Sequence, residues 1–190
     1  MIIESFVISI LVGLIRRGSL RNLSHIPLRH TFLFVLPFLL FGCLVFLMRK
    51  TSGTEFAFFV RIGNVIQYLI LLAAIALNLH IPEMRIIGAG TFLNALVLTA
   101  NGGMMPASMA ALKVAGIPNA ICGETVRHIV MTANTRLNFL ADIVPVYLGN
   151  PYLSEVVSIG DVVIAIGVFI LIQRYLCRPA VAAKETAACA

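Results

Sequence analysis

Residues 56–79, FAFFVRIGNVIQYLILLAAIALNL, decide the fold. A helix of roughly 20 apolar residues crosses the hydrocarbon core of a bilayer. This stretch meets that length and is interrupted by Arg61, Asn64 and Gln67. Working outward, residues 31–48 precede it as a second apolar stretch, and residues 2–15 form a shorter one with Glu4 near its start. Residues 86–100 follow and stop at Asn101-Gly102-Gly103, and residues 159–172 form a fifth stretch. The chain of 190 residues is 60% hydrophobic and 12% charged, with mean hydropathy +1.01. A soluble domain carries about 25% charged residues, so too little polar surface is available to cover this one with water. A cytosolic enzyme, a nucleic-acid module and a secreted disulfide scaffold thereby become poor readings.

The predicted fold class is all-α: a polytopic membrane helix bundle of about five transmembrane helices, with short interfacial or re-entrant helices between the fourth and fifth. Residues 1–178 form a single transmembrane domain, in which 101–157 make an extracytoplasmic interfacial lid. Residues 179–190 are expected to be a disordered cytoplasmic tail. The basic residues set the orientation. With the N-terminus outside, Arg16, Arg17, Arg21, Arg29, Arg85, Arg174, Arg178 and Lys184 lie on the cytoplasmic side, which then carries the whole formal net charge of +6. The positive charges follow the first apolar run, whereas a cleavable signal peptide has them in front. The location expected is a membrane, multi-pass, with the C-terminus cytoplasmic. The pI of 9.6 then reports topology, and no nucleic acid is expected as a partner. Membrane lipids are the expected partners, with a homo-oligomer or a partner subunit as further ones. Cys43, Cys122, Cys177 and Cys189 show no CxxC and no metal spacing, so no metal or other cofactor is expected.

Polar residues within apolar helices face a partner or a cavity. Arg61, Asn64 and Tyr68 share one face of the third stretch, beside Gln67. Asn94 and Asn101 share a face of the fourth with Gly90. Asp161 sits in the first turn of the fifth. These positions predict a polar pocket opening outward, lined by Arg61, Asn64, Asn94, Asn101, Gly102, Gly103 and Asp161 and covered by Arg136 and Asp142. In that pocket Arg61 pairs with Asp161 or Asp142, and Arg61 and Arg136 hold an anionic group. Asp161 has a second reading: Ser158-Ile159-Gly160-Asp161 matches the S-x-x-[DE] capping box of a helix start. The segment Asn101-Gly102-Gly103-Met104-Met105-Pro106 breaks the fourth helix, and Pro106 then opens a short apolar helix to Ala115. Glu124 to Asn134 has helical spacing within the lid.

The motifs Arg17-Gly18-x-Leu20, Ala100-Asn101-Gly102-Gly103-x-Met105-Pro106-x-Ser108, Thr135-x-Leu137-x-Phe139-Leu140-x-Asp142-x-x-Pro145 and Ser158-Ile159-Gly160-Asp161-Val162, together with Asn94, cover nearly the whole chain. In them the chain resembles a bacterial family of small polytopic integral membrane proteins catalogued only as a domain of unknown function. The resemblance implies a bacterial inner-membrane protein and carries no catalytic role with it.

No GxSxG, HExxH, P-loop or dinucleotide fingerprint occurs, which favours a non-enzymatic role. The leading expectation is binding or transport of a lipid-like or small amphiphilic ligand in the outward pocket. One alternative is an accessory subunit of a larger membrane complex, with Gly88, Gly90, Gly160 and Gly167 as smooth packing faces for a partner. A second alternative is a membrane enzyme using Asp142 and Asp161 as an acid–base pair.

Overall fold

The computed structural model describes residues 2–50, 54–118, 127–150 and 153–177. The expected tail at 179–190 and residues 119–126 of the expected lid, which include the start of its predicted helix, lie outside the described residues. The fold is mostly helical. The long helices are α1 (Ile2–Ile15), α2 (Phe32–Lys50), α3 (Thr54–Ala76), α4 (Pro82–Ala100) and α6 (Ile159–Leu176). A short helix α5 (Met109–Val114) lies between α4 and α6, and a 3-10 helix (Leu20–His25) links α1 to α2. Two helical stretches, Ala57–Ala76 and Ile159–Leu176, are long and apolar enough to cross a membrane.

Helix packing runs in the order α2, α3, α4, α6, α1. Side-chain registers fix the directions. A Cβ on Gly63 of α3 would meet Leu44 of α2, and Asn78 at the end of α3 accepts a 2.7 Å hydrogen bond from the Arg29 N–H before α2, so this pair is antiparallel. Between α4 and α6, Gly90 lies against Ile164, Gly167 against Ile87, and Arg174 donates to Glu83 at 2.8 Å; this pair is antiparallel too. Helices α1 and α6 run parallel. Ser5 Oγ donates to the Ala165 carbonyl at 2.8 Å and Ser9 Oγ to the Phe169 carbonyl at 3.2 Å, a constant offset along both chains. The apolar core formed by Ile75, Ile81, Met84, Ile87, Ile164, Leu171 and Tyr175 fills the α3–α4–α6 seam toward the end where α4 begins.

The glycines expected to face a partner are used inside the chain. Gly160 and Gly167 on α6 abut α4, Gly90 abuts Gly160 and Ile164, and Gly88 abuts Ile75 of α3. Removing the side chain at such a contact lets two backbones approach closely enough to pack without a gap.

The lid corrects the all-α expectation. It holds two small sheets: β1 (Met105–Ala107) paired in parallel with β2 (His128–Val130), and β3 (Val144–Val146) paired antiparallel with β4 (Glu155–Val157). Pro106 lies in β1, and α5 is instead started by Ser108, whose Oγ accepts from the Ala111 N–H. The described part of the predicted helix at 124–134 is not helical: His128–Val130 form β2 and a turn follows at 133–134. The reason is hydrogen bonding: the Met105 N–H donates to the Arg127 carbonyl at 2.8 Å and the Met131 N–H to the Ala107 carbonyl at 2.9 Å. Buried backbone groups that cannot reach water must find such partners. A lone β-bridge then joins Ala107 to Asp142, which fastens the Asp142 backbone beside β1.

Gly102 and Gly103 have φ of +64° and +85° and turn the chain back along α4, so that Met105 packs on Val97. At Gly103 a Cβ would collide with the Arg61 carbonyl. Gly103→Ala therefore combines a left-handed strain with a backbone clash. It is expected to lower stability by about 2–4 kcal/mol, read as a fall in the thermal midpoint in detergent. Gly149→Ala, also left-handed but with nothing near the added Cβ, should show the smaller strain alone.

Candidate functional site

A cavity of about 580 Å³ opens at the level of Asn94 and Asp161. Each long helix contributes one residue to it: Glu4 from α1, Phe38 from α2, Tyr68 from α3, Asn94 from α4 and Asp161 from α6. The registers described above bring these five to a similar depth. The lid closes the remaining wall with Met105, Arg127, His128, Asp142, Glu155 and their apolar neighbours.

Asn94 is the hinge of its polar network. It is 1% exposed, donates from Nδ2 to Asp161 Oδ1 at 2.8 Å and accepts at Oδ1 from Ser158 Oγ at 2.7 Å. Asp161 Oδ2 accepts from the Ser158 N–H at 3.1 Å, and Ser158 Oγ accepts from the Asp161 N–H at 2.9 Å. The capping box read from the sequence is therefore present, and both Asp161 oxygens are engaged in it or in Asn94. Tyr68 reaches the same network through Asn94.

Asp142 enters from the lid. It is 4% exposed, and its Oδ2 lies 3.3 Å from His128 Nε2. Burial holds its carboxyl above the ordinary value, against the opposing effect of the His128 hydrogen bond, with the Asp161 charge adding to the rise. A carboxyl with a raised folded-state pKa is protonated in both states at low pH and loses stability as pH climbs through the folded value. Asp142→Asn should therefore flatten the decline in stability that sets in above the ordinary Asp range. Thermal midpoints measured from pH 3.5 to 7 read this directly; an unchanged slope would contradict it.

Arg127 lines the same cavity as the two aspartates. Its Nη2 donates to Gln67 Oε1 at 2.7 Å, and its guanidinium stands 4.4 Å over the Phe41 ring. A cation over an aromatic face is held by the ring quadrupole, so Arg127 has a fixed place between α2, α3 and the lid.

The expected pocket residues thus divide. Asn94, Asp142 and Asp161 come together in this cavity. Arg61, Gly102 and Gly103 line a second, more apolar cavity of about 460 Å³, walled by Phe58, Ile62, Val65, Ile66 and Thr99. Neither aspartate lines that cavity, and the arginine that shares a cavity with them is Arg127. Asn64 donates to the Gly103 carbonyl at 3.0 Å. Asn101 clasps the Arg136 backbone, accepting from its N–H at 2.8 Å and donating to its carbonyl at 2.9 Å, while the Arg136 residue is exposed. These residues hold the turn and the lid in place. Sequence reasoning missed Arg127, His128, Glu155 and Glu4 as cavity residues. The β-branched pair Ile129-Val130 after Arg127-His128 was the available signal for a strand.

Residues 25–173 match the family of unknown function DUF5317, and the chain belongs to that family. Over 172 residues it is 27% identical to an uncharacterized protein of Thermotoga maritima, covering 90% of this chain and 89% of that relative. No solved structure matches the chain.

Proposed function

We propose that the chain is a multi-pass protein of a bacterial inner membrane, crossing five times with the N-terminus outside. In this reading it binds, or passes on, the head of a lipid-like or small amphiphilic ligand in the cavity that the five long helices share. The convergence of one residue from each of those helices on a single cavity carries the reading. Its volume is within the range of about 300–1,000 Å³ usual for small-molecule sites, and its wall combines apolar side chains with a few polar groups. The alternating helix directions support the orientation, because they gather Arg16, Arg17, Arg29, Arg85 and Arg174 at one end of the bundle.

Four carboxyl groups, Glu4, Asp142, Glu155 and Asp161, share the cavity with Arg127 and His128. The anionic head anticipated from Arg61 and Arg136 loses its partners, since neither lines it. A head that donates hydrogen bonds or carries a positive charge complements the wall instead. Thermal stabilisation of the purified protein tests this with three probes of one chain length: dodecylammonium, dodecanol and dodecyl phosphate. The ammonium should raise the midpoint most. Equal shifts, or the largest shift from the phosphate, would sink the assignment of the head.

One observation favours acid–base chemistry as a second reading: His128 and Asp142 are paired within the cavity. Asp161, with both oxygens in the cap network, is then a positioning group, and His128 with Asp142 would move the proton. A His128→Gln variant that keeps ligand-induced stabilisation but loses turnover of a bound amphiphile would distinguish this reading from simple binding.

A further inference from the structure

The packing order α2, α3, α4, α6, α1 leaves α1 and α2 as the two ends of a row. Yet both ends line the same cavity, α1 through Glu4 and α2 through Phe38. The row therefore bends into an arc around the cavity, and among the described residues α1 and α2 form no packed pair that would close it. Phe38 is 74% exposed while lining the cavity, which puts its ring at the rim of an opening. Exposed side chains of both helices are apolar, among them Phe6 and Val7 on α1 and Val35 and Leu39 on α2.

We propose that the gap between α1 and α2 is a lateral portal, through which a single-chain amphiphile dissolved in the bilayer slides its polar head into the cavity while its chain stays in lipid. The proposal rests on the amphiphile reading above and adds the route and the source of the ligand: the membrane, not the aqueous phase. Two features fit this occupant together. The exposed side chains of the two flanking helices are apolar, and the polar groups Asn94, Asp161 and the His128–Asp142 pair come from α4, α6 and the lid. A head moving this way exchanges its hydration for the polar wall, and the chain never loses its apolar surroundings. A ligand arriving through the lid would have to draw its chain out of the lipid and past the paired strands.

The test is photolabelling of the full-length protein in nanodiscs with dodecylammonium bearing a diazirine at the chain end, followed by peptide mapping, with and without excess unlabelled dodecylammonium. The expected result is competed labelling on α1 and α2 around Phe6, Val35 and Phe38, at least several-fold above labelling of the outer faces of α3 and α6. Competed labelling confined to residues 127–150 would overturn the portal and leave the binding reading standing. Absence of any competed labelling would overturn both.

Discussion

Gly160→Ala is expected to destabilise the protein by about 3–5 kcal/mol. The new Cβ would fall on Asn94 Oδ1 and lie 2.7 Å from the Gly90 carbonyl oxygen. The carbonyl belongs to a helix backbone and cannot turn aside. Asn94 can move only by giving up its bonds to Ser158 Oγ and Asp161 Oδ1. The substitution therefore forces α4 and α6 apart at the level of the cavity and breaks the network that lines it. Gly42→Ala is the matched control. It lies in α2 with nothing near the added Cβ, so the helix-propensity gain of up to about 1 kcal/mol should appear undiminished. Unfolding midpoints of the two variants in one detergent decide the matter. A Gly160→Ala protein as stable as the parent would mean that the α4–α6 contact is looser than described.

Asn94→Leu should cost about 2–4 kcal/mol. Leucine conserves the volume but strands the Ser158 hydroxyl, which is fully buried, and removes a donor from Asp161. The loss should depend on its partner. In a double-mutant cycle, Asn94→Leu in a Ser158→Ala background should be milder by about 1 kcal/mol or more, because the stranded hydroxyl is gone. Additive effects would show that the two side chains do not share a bond.

The five long helices were legible in the sequence to within a few residues, because long apolar runs in a polar-poor chain leave little choice. The Ser158–Asp161 cap was legible because its chemistry is local. The lid was not. Strands of three residues have no period to read, and β1, β2 and the Asp142 bridge exist through backbone partners distant in sequence. On the polar stripe of α3, Asn64 and Gln67 are buried, but its residues do different work. Asn64 holds the Gly103 turn, Gln67 receives Arg127, and Arg61 borders the second cavity. Helical spacing gives a direction for each side chain and says nothing of which loop will come to meet it.

Native mass spectrometry of the protein released from bacterial membranes in mild detergent tests the shared cavity most directly. Val156 lines that cavity and is only partly buried, so Val156→Phe fills space there without changing a charge. A bound amphiphile retained by the parent and lost from Val156→Phe is the result expected. A parent that carries none, or a variant that carries the same adduct equally well, would contradict the assignment of this cavity as the binding site.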